Sequence, residues 1–356
     1  ARKMSFDISI KRKTGTFSLD VSLYSDKPGV IGLLGASGCG KSMTLKCVAG
    51  ILKPDSGRIV VNGRTFFDSE KKINLKPQER GVGYLFQNYA LFPNMTVRDN
   101  IFAGMPKDKQ SDEVFLRQIE LFELEGLEDR YPTQLSGGQQ QRAALARIFI
   151  RDPEILMLDE PFSALDTALR WSLQKKISEV LSDYKNSVLF VSHSRDEIYM
   201  LCERAGVMSE GQIVSFGPIE KLFEEPATRA ALELTGVRNI SNIRWTGQNR
   251  FHAEDWDVDL ICPEKTVCDC AGIRAHYFTP CGPDAVNAIP IDVVSVINEP
   301  FESNVLFRPK GRNPTQLMCW RVGHKHIENI TEWPDHLSIA PENILLAKNR
   351  QSVPEK

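Results

Sequence analysis

Residues 35 to 42 read GASGCGKS, which fits the pattern G-x-x-x-x-G-K-[ST]. Those residue types at that spacing suit one task, holding a polyphosphate. Gly35, Gly38 and Gly40 let the backbone curl so that successive N–H groups face one anion, and a helix starting at Ser42 aims its positive end at the same point. Lys41 can then reach the β- and γ-phosphates of a nucleotide, and the Ser42 hydroxyl can ligate Mg²⁺.

Further along lie groups that complete such a site. Ile155 to Glu160 (ILMLDE) is an apolar run ending in two carboxylates. Asp159 can hold Mg²⁺ through water, and Glu160 can orient or deprotonate the water that attacks the γ-phosphate. Gln87, at the end of RGVGYLFQ, can place its amide near the metal and the same water. His193 follows an apolar run, Val188 to Val191, and can hydrogen-bond the γ-phosphate. Leu135 to Arg142 (LSGGQQQR) puts Ser136, Gly137 and Gly138 at a second helix N-terminus. One nucleotide seldom needs two such ends, and a second subunit supplying the other explains both.

The elements that must carry these groups are legible as short apolar strands alternating with helices. Val30 to Leu34 is apolar and partly β-branched, so it reads as a buried parallel strand feeding the glycine loop. Phe6 to Leu23 alternates around Thr14-Gly15, which predicts an antiparallel hairpin. Phe17 in that hairpin fits either the buried face of its strand or a stacking surface for adenine. Lys53 to Gly57 is a turn, and Arg58 to Asn62 resumes a strand. Tyr89, Leu91, Phe92 and Pro93 form an apolar loop after Gln87, suited to core filling or to docking of a partner helix. Ser111 to Leu127 has the spacing of amphipathic surface helices.

The chain has 356 residues, so two or three domains are expected. A hydrophobic share of 42% with 25% charged residues is ordinary for a soluble protein. No apolar stretch reaches the length of a membrane span, and no signal-peptide core is visible near the N-terminus, so the chain is expected to stay where it is made. A net charge of -2 and the lack of a basic tract give no case for a nucleic-acid partner. The eight cysteines suit a reducing compartment. Cys262, Cys268, Cys270 and Cys281, with His276 near, match no common spacing of zinc ligands and are expected to be small, buried or incidental.

Taken together, GASGCGKS, Gln87, LSGGQ, ILMLDE, Ser163 to Asp166 and His193 resemble the ATPase subunit of ATP-binding cassette (ABC) transporters, over about residues 4 to 230. The resemblance implies an α/β P-loop ABC ATPase domain over 1–235, with a mixed sheet and a helical subdomain at about 88–150. Beyond Gly236 the texture turns to short alternating strands, including Ile289 to Ile297, Asn304 to Arg308, Gln316 to Val322 and His336 to Leu346. These predict a small all-β, OB-like or TOBE-type barrel over 236–356.

The nucleotide-binding set implied by the family is Gly35, Ala36, Ser37, Gly38, Cys39, Gly40, Lys41, Ser42, Thr44, Ser136, Gly137, Gly138, Gln139 and Asp166. The implied metal set is Ser42, Gln87 and Asp159, and the implied catalytic set is Glu160, His193 and Gln87, with ATP and Mg²⁺ as cofactors. The expected partners are a second copy, head to tail, and integral membrane permease subunits docking on the Gln87 region, with a periplasmic or extracellular solute-binding protein acting indirectly. The chain is then expected to sit peripherally on the cytoplasmic face of the membrane. Ser194 stands where many relatives carry Asp, which bears on the local bracing of His193.

AGIRAHYF (271–278) and LSIAPENILLA (337–347) look like the accessory barrel of importers for oxyanions, sugars or polyamines, and the whole chain looks most similar to molybdate-type importer ATPases. Sulfate or thiosulfate is the nearest alternative cargo. The molybdate-binding fingerprint SARN is absent, with Ile297-Asn298-Glu299-Pro300 at the corresponding place, so a barrel that regulates or dimerises fits equally. A soluble ABC ATPase acting on ribosomes or DNA is the alternative of another class; the single cassette and the lack of aromatic-basic interleaving in the barrel stand against it.

Overall fold

The computed structural model describes residues 5–86, 89–105, 110–151, 153–163, 165–182, 184–264, 267–323 and 333–349. The chain divides into two compact units, residues 1–219 and 220–356.

The first unit is built on an eleven-stranded sheet. In chain order its strands are β1 (Phe6–Thr14), β2 (Phe17–Ser25), β3 (Val30–Gly35), β4 (Ser56–Val61), β5 (Arg64–Asp68), β6 (Ile73–Asn74), β7 (Val82–Leu85), β8 (Ile155–Asp159), β9 (Ser187–Ser192), β10 (Arg204–Ser209) and β11 (Gln212–Pro218). They lie in the order β6-β5-β4-β1-β2-β11-β10-β3-β9-β8-β7. The run β10-β3-β9-β8-β7 is parallel, whereas β1, β2, β4, β5 and β6 pair antiparallel as hairpins. Every residue of β3, β8 and β9 is buried, as continuous apolar strands inside a parallel sheet must be.

Helices cover this sheet and close the connections between parallel strands. α1 (Lys41–Ala49) follows β3 and stops at Gly50, whose φ of 81° suits a glycine cap. The fully buried Arg80 guanidinium donates to the last carbonyls of α1, those of Cys47 at 3.0 Å and Val48 at 2.7 Å. Between β7 and β8 lie α2 (Val97–Gly104), α3 (Asp112–Leu121) and α4 (Gly137–Phe149), the helices of the region expected at about 88–150. α4 begins at Gly137 with Ser136 as its cap, so Gly137, Gly138 and Gln139 form its first turn. α5 (Thr167–Ser182) and α6 (Arg195–Leu201) complete the unit.

The second unit begins earlier than the texture change at Gly236 that marked it in the sequence. Among the described residues two short helices, α7 (Ile219–Glu224) and α8 (Arg229–Leu234), precede ten strands: β12 (Asn239–Trp245), β13 (Arg250–Ala253), β14 (Val258–Ile261), β15 (Cys270–Ile273), β16 (Thr279–Pro280), β17 (Ile289–Asn298), β18 (Glu302–Pro309), β19 (Met318–Gly323), β20 (His336–Ser338) and β21 (Ile344–Ala347). The cause of the shift is packing. Leu232 and Val237 share an apolar cluster with Ile240, Cys270 and Ala347, and Arg274 donates to the carbonyls of Phe223 and Thr235. A Cβ on Gly272 would stand 2.8 Å from Leu232, so glycine is what lets α8 lie this close.

The strands form two five-stranded sheets, β14-β13-β12-β15-β21 and β16-β20-β17-β18-β19, around one core that includes Trp256, Phe251, Phe278 and Phe307. His336 to Leu346 is not a single strand. Pro341 starts a tight turn, and β20 and β21 on either side of it join different sheets. Cys262 and Cys270 are buried, which pushes their thiols up, that of Cys270 to about 12, and among the described residues no cluster of His, Cys, Asp or Glu is arranged to hold a metal.

Candidate nucleotide-binding site

Parallel strands deliver their C-terminal ends to one edge of the sheet, and the chemistry-bearing residues sit there. β3 runs into the glycine loop, β8 ends at Asp159 with Glu160 next, and β9 ends at Ser192 with His193 next. Gln87, expected at the end of its strand, lies outside the described residues.

The loop has the backbone that its glycines predict. Gly38 and Gly40 have φ of 80° and 111°. A Cβ on Gly40 would also stand 2.7 Å from the Met208 methyl and 2.8 Å from Leu19, and one on Gly35 would stand 2.5 Å from the Met208 carbonyl oxygen and 2.6 Å from Cys39 Sγ. Phe17 lies half-buried against the same Gly40, at the edge of the core. Thr44 is fully buried and donates to the Gly40 carbonyl at 3.0 Å, tying the loop to α1. Lys41 is no solvated surface lysine: it is 5% exposed, and its Nζ donates to the carbonyls of Gly35 at 2.6 Å and Ala36 at 2.9 Å. The cation is held inside the cradle where an anion would lie. Ala36 and Ser37 are at the exposed rim.

Ser42 and Asp159 meet across two elements 117 residues apart, with Ser42 Oγ donating to Asp159 Oδ1 at 2.9 Å. Tyr84, on β7, donates to Oδ2 of the same carboxylate at 3.1 Å. Asp159 is 2% exposed, and burial raises its pKa although both hydroxyl bonds and Lys46 oppose the rise. A buried carboxylate beside a hydroxyl, with no cation bonded to it among the described residues, is the hard-oxygen donor set that Mg²⁺ takes.

Glu160 adopts a φ of 51°, in the left-handed region that costs a side-chain-bearing residue energy. Its backbone is fixed there, the N–H donating to Val191 and the carbonyl accepting from Ser163 Oγ at 3.0 Å. The twist turns the side chain toward β9, where His193 Nδ1 lies 3.3 Å from Glu160 Oε1. His193 is 61% exposed and Glu160 22%, so the pair faces solvent and can meet a substrate. With serine at position 194, the residues on either side of His193 are tied to one another and to α6. Ser192 Oγ donates to the buried Glu197 at 2.6 Å and accepts from the Ser194 N–H at 2.9 Å, while Ser194 caps α6.

Ser136 caps α4 in a reciprocal box with Gln139: Gln139 N–H donates to Ser136 Oγ at 3.3 Å and Ser136 N–H to Gln139 Oε1 at 2.9 Å. These two bond one another rather than the glycine loop of their own chain. Asp166 caps α5, accepting from the Leu169 N–H at 3.0 Å.

Beyond Gln87 the loop is braced by residues that sequence reading passed over. Tyr89 and Ala90 are both left-handed, with φ of 59° and 45°. The fully buried Asn100 of α2 donates to the carbonyls of Phe92, Met95 and Thr96 and accepts from the Phe92 N–H. Arg147 of α4 donates to the Tyr89 carbonyl and lies over the Phe92 ring at 5.2 Å. Phe92 and Met95 are 48% and 38% exposed, so this loop is an ordered surface rather than core.

The sequence pattern of the ABC transporter family matches residues 19–163. The sulfate/thiosulfate import ATP-binding protein CysA 1 of Shewanella oneidensis is 33% identical over 336 residues, covering 90% of this chain and 87% of that protein. The chain belongs to the ABC transporter family. This ABC ATPase is also 39% identical over 226 residues to the molybdenum import ATP-binding protein ModC of Paramagnetospirillum magneticum, a match spanning 63% of the chain and 62% of that protein. It is 40% identical over 212 residues to the spermidine/putrescine import ATP-binding protein PotA of Oleidesulfovibrio alaskensis, a match spanning 58% of the chain and 55% of that protein. A solved dimer of the ATP-binding cassette MJ0796 with ADP and Pi superposes with a TM-score of 0.53 at 23% identity, over 60% of this chain and 98% of that one, a likeness of fold. Among the described residues of the ABC ATPase no helix is long and apolar enough to cross a membrane.

Proposed function

We propose that the chain hydrolyses ATP to energise uptake of a small oxyanion, molybdate or tungstate, through a separate membrane permease. The observation that carries the ATP reading is the meeting of Ser42 and Asp159 at 2.9 Å, beside a Glu160–His193 pair and a cradle holding Lys41. In this reading Lys41 leaves its two carbonyls for the β- and γ-phosphates, and the loop N–H groups hold the remaining phosphate oxygens. Ser42 and Asp159 would hold Mg²⁺, with Gln87, and the ion supplies charge neutralisation on the phosphates when bound. Glu160 takes a proton from the attacking water, and His193 hydrogen-bonds the γ-phosphate. Ser136, Gly137 and Gly138 of a second copy close over the same nucleotide, so loss of the γ-phosphate removes the bridge between subunits. The exposed loop after Gln87 meets the permease, on the cytoplasmic face of the membrane.

Molybdate is supported by 39% identity to the molybdenum import protein, a level that the spermidine/putrescine import protein equals at 40%, while a specific observation favours sulfate or thiosulfate as a second reading. The sulfate-type match runs through 90% of the chain, whereas the molybdenum-type match covers 63%. The second unit itself supports a regulatory or dimerising role over oxyanion binding at the place of the missing fingerprint. Glu299 there is acidic and already paired with Arg238 at 3.6 Å and Arg321 at 3.9 Å.

Capture of the Glu160→Gln protein with Mg-ATP from solubilised source membranes tests the transport reading. An integral membrane subunit should come with it; recovery of ribosomal or DNA-bound proteins alone would overturn the reading. The reconstituted assembly should then take up labelled molybdate in the presence of excess sulfate. Uptake of sulfate that molybdate does not block assigns the second cargo instead.

A further inference from the structure

Tyr84 is a residue that neither the glycine loop nor the strand-end carboxylates account for. It occupies the third position of β7, opposite Met157 in the parallel pairing with β8, and its ring lies tilted against Phe86 with centroids 4.5 Å apart. Its hydroxyl reaches Asp159 Oδ2 at 3.1 Å while Ser42 holds Oδ1 at 2.9 Å. The carboxylate, 2% exposed, thus has one neutral donor on each oxygen, one from α1 and one from β7.

We propose that Tyr84 is a positioning residue for the divalent cation: its hydroxyl fixes the plane of the Asp159 carboxylate so that Oδ1 and the Ser42 hydroxyl present to the ion together. This rests on the reading that Ser42 and Asp159 hold Mg²⁺. A buried carboxylate with an undonated oxygen turns about its terminal torsion to recover a partner, and in turning it carries the other oxygen away from the ion. A phenol prevents that without adding charge. An arginine or lysine in its place would pair with the carboxylate and compete with the cation, whereas a phenol is a neutral donor. β7 is a rigid platform for the task, being hydrogen-bonded to β8 along its length.

The test compares the full-length protein with its Tyr84→Phe variant, which loses a single oxygen. Mn²⁺ binding in the presence of a non-hydrolysable ATP analogue is followed by electron paramagnetic resonance, and affinity for the same nucleotide is measured in EDTA. Loss of an outer partner of a metal ligand weakens metal binding by 10- to 100-fold in general. Here Mn²⁺ affinity should fall about tenfold, metal-free nucleotide affinity should hold, and the Mg²⁺ concentration for half-maximal hydrolysis should rise by a similar factor. Tyr84 as mere core filler predicts unchanged Mn²⁺ binding, and that result overturns the inference while leaving the metal reading intact. An equal loss of metal-free nucleotide affinity also overturns it, because the loop would then be what was disturbed. Failure of the unsubstituted protein to bind Mn²⁺ removes both the inference and the reading beneath it.

Discussion

Glu160 shows how a single residue can be held ready for chemistry at a cost to the fold. Its left-handed backbone and its 3.3 Å approach to His193 put a half-shielded carboxylate at the open edge of the sheet. Glu160→Gln should therefore keep nucleotide affinity within about twofold while turnover falls on the order of 10²- to 10⁴-fold, with equilibrium binding and single-turnover hydrolysis as the measurements. Lys41→Ala should do the reverse and lose the nucleotide itself. Asp159 pays a different cost. Burial raises its pKa, so the folded state holds its proton more tightly than the unfolded chain does, and the contribution to stability falls as pH rises through the raised value. Asp159→Asn should accordingly be more stable at neutral pH by about 1 kcal/mol. Denaturant midpoints should show this gain shrinking as pH falls into the ordinary carboxylate range, with metal-dependent hydrolysis lost throughout. Lys41, Ser42 and Asp159 were readable because their types and spacing fit one chemistry. Tyr84 was not, because a tyrosine inside the apolar run VGYLF reads as core until the fold shows what its hydroxyl touches.

Elements set these residues in place through their ends. α4 starts at the Ser136–Gln139 box, and Ser136→Ala should cost about 1 kcal/mol of stability, read as a lower urea midpoint with unchanged slope. The loop between β7 and α2 depends on one buried amide. Asn100→Ala takes the side-chain donor from three carbonyls and the acceptor from one N–H of the 92–96 segment, at a cost of about 2 kcal/mol, and limited proteolysis should then cut first within residues 89–96. The sequence showed this loop as apolar and open to two uses. It could not show that Asn100 and Arg147, from two different helices, make it an ordered surface, since both read as ordinary polar positions of amphipathic helices.

At the level of the whole chain, alternation and turn residues exposed a second, all-β unit, and its core follows those strands. Two details lay beyond the pattern. The helices α7 and α8 look like a tail of the first unit, because a short apolar helix does not announce which surface it will cover. Leu232, Val237 and Gly272 assign α8 to the barrel. A fragment of residues 220–356 should thus be soluble and unfold cooperatively by calorimetry, whereas one starting at Gly236 exposes the cluster around Ile240 and Cys270 and should aggregate. Likewise Pro341 divides what reads as one strand between two sheets.

The strand order of the first unit also sets a timetable. β3, which carries the nucleotide loop, lies between β9 and β10, and both of its neighbours are encoded far downstream. Roughly 150 residues separate Leu34 from Val188, so at about 5–20 residues per second the ribosome needs on the order of 10–30 s to deliver the first of them. Through that interval Val30 to Leu34 has neither lateral partner, and the nascent chain carries a bare, wholly apolar strand. Slower translation or faster release from whatever shields VIGLL should lower the yield of folded protein before it alters the finished molecule.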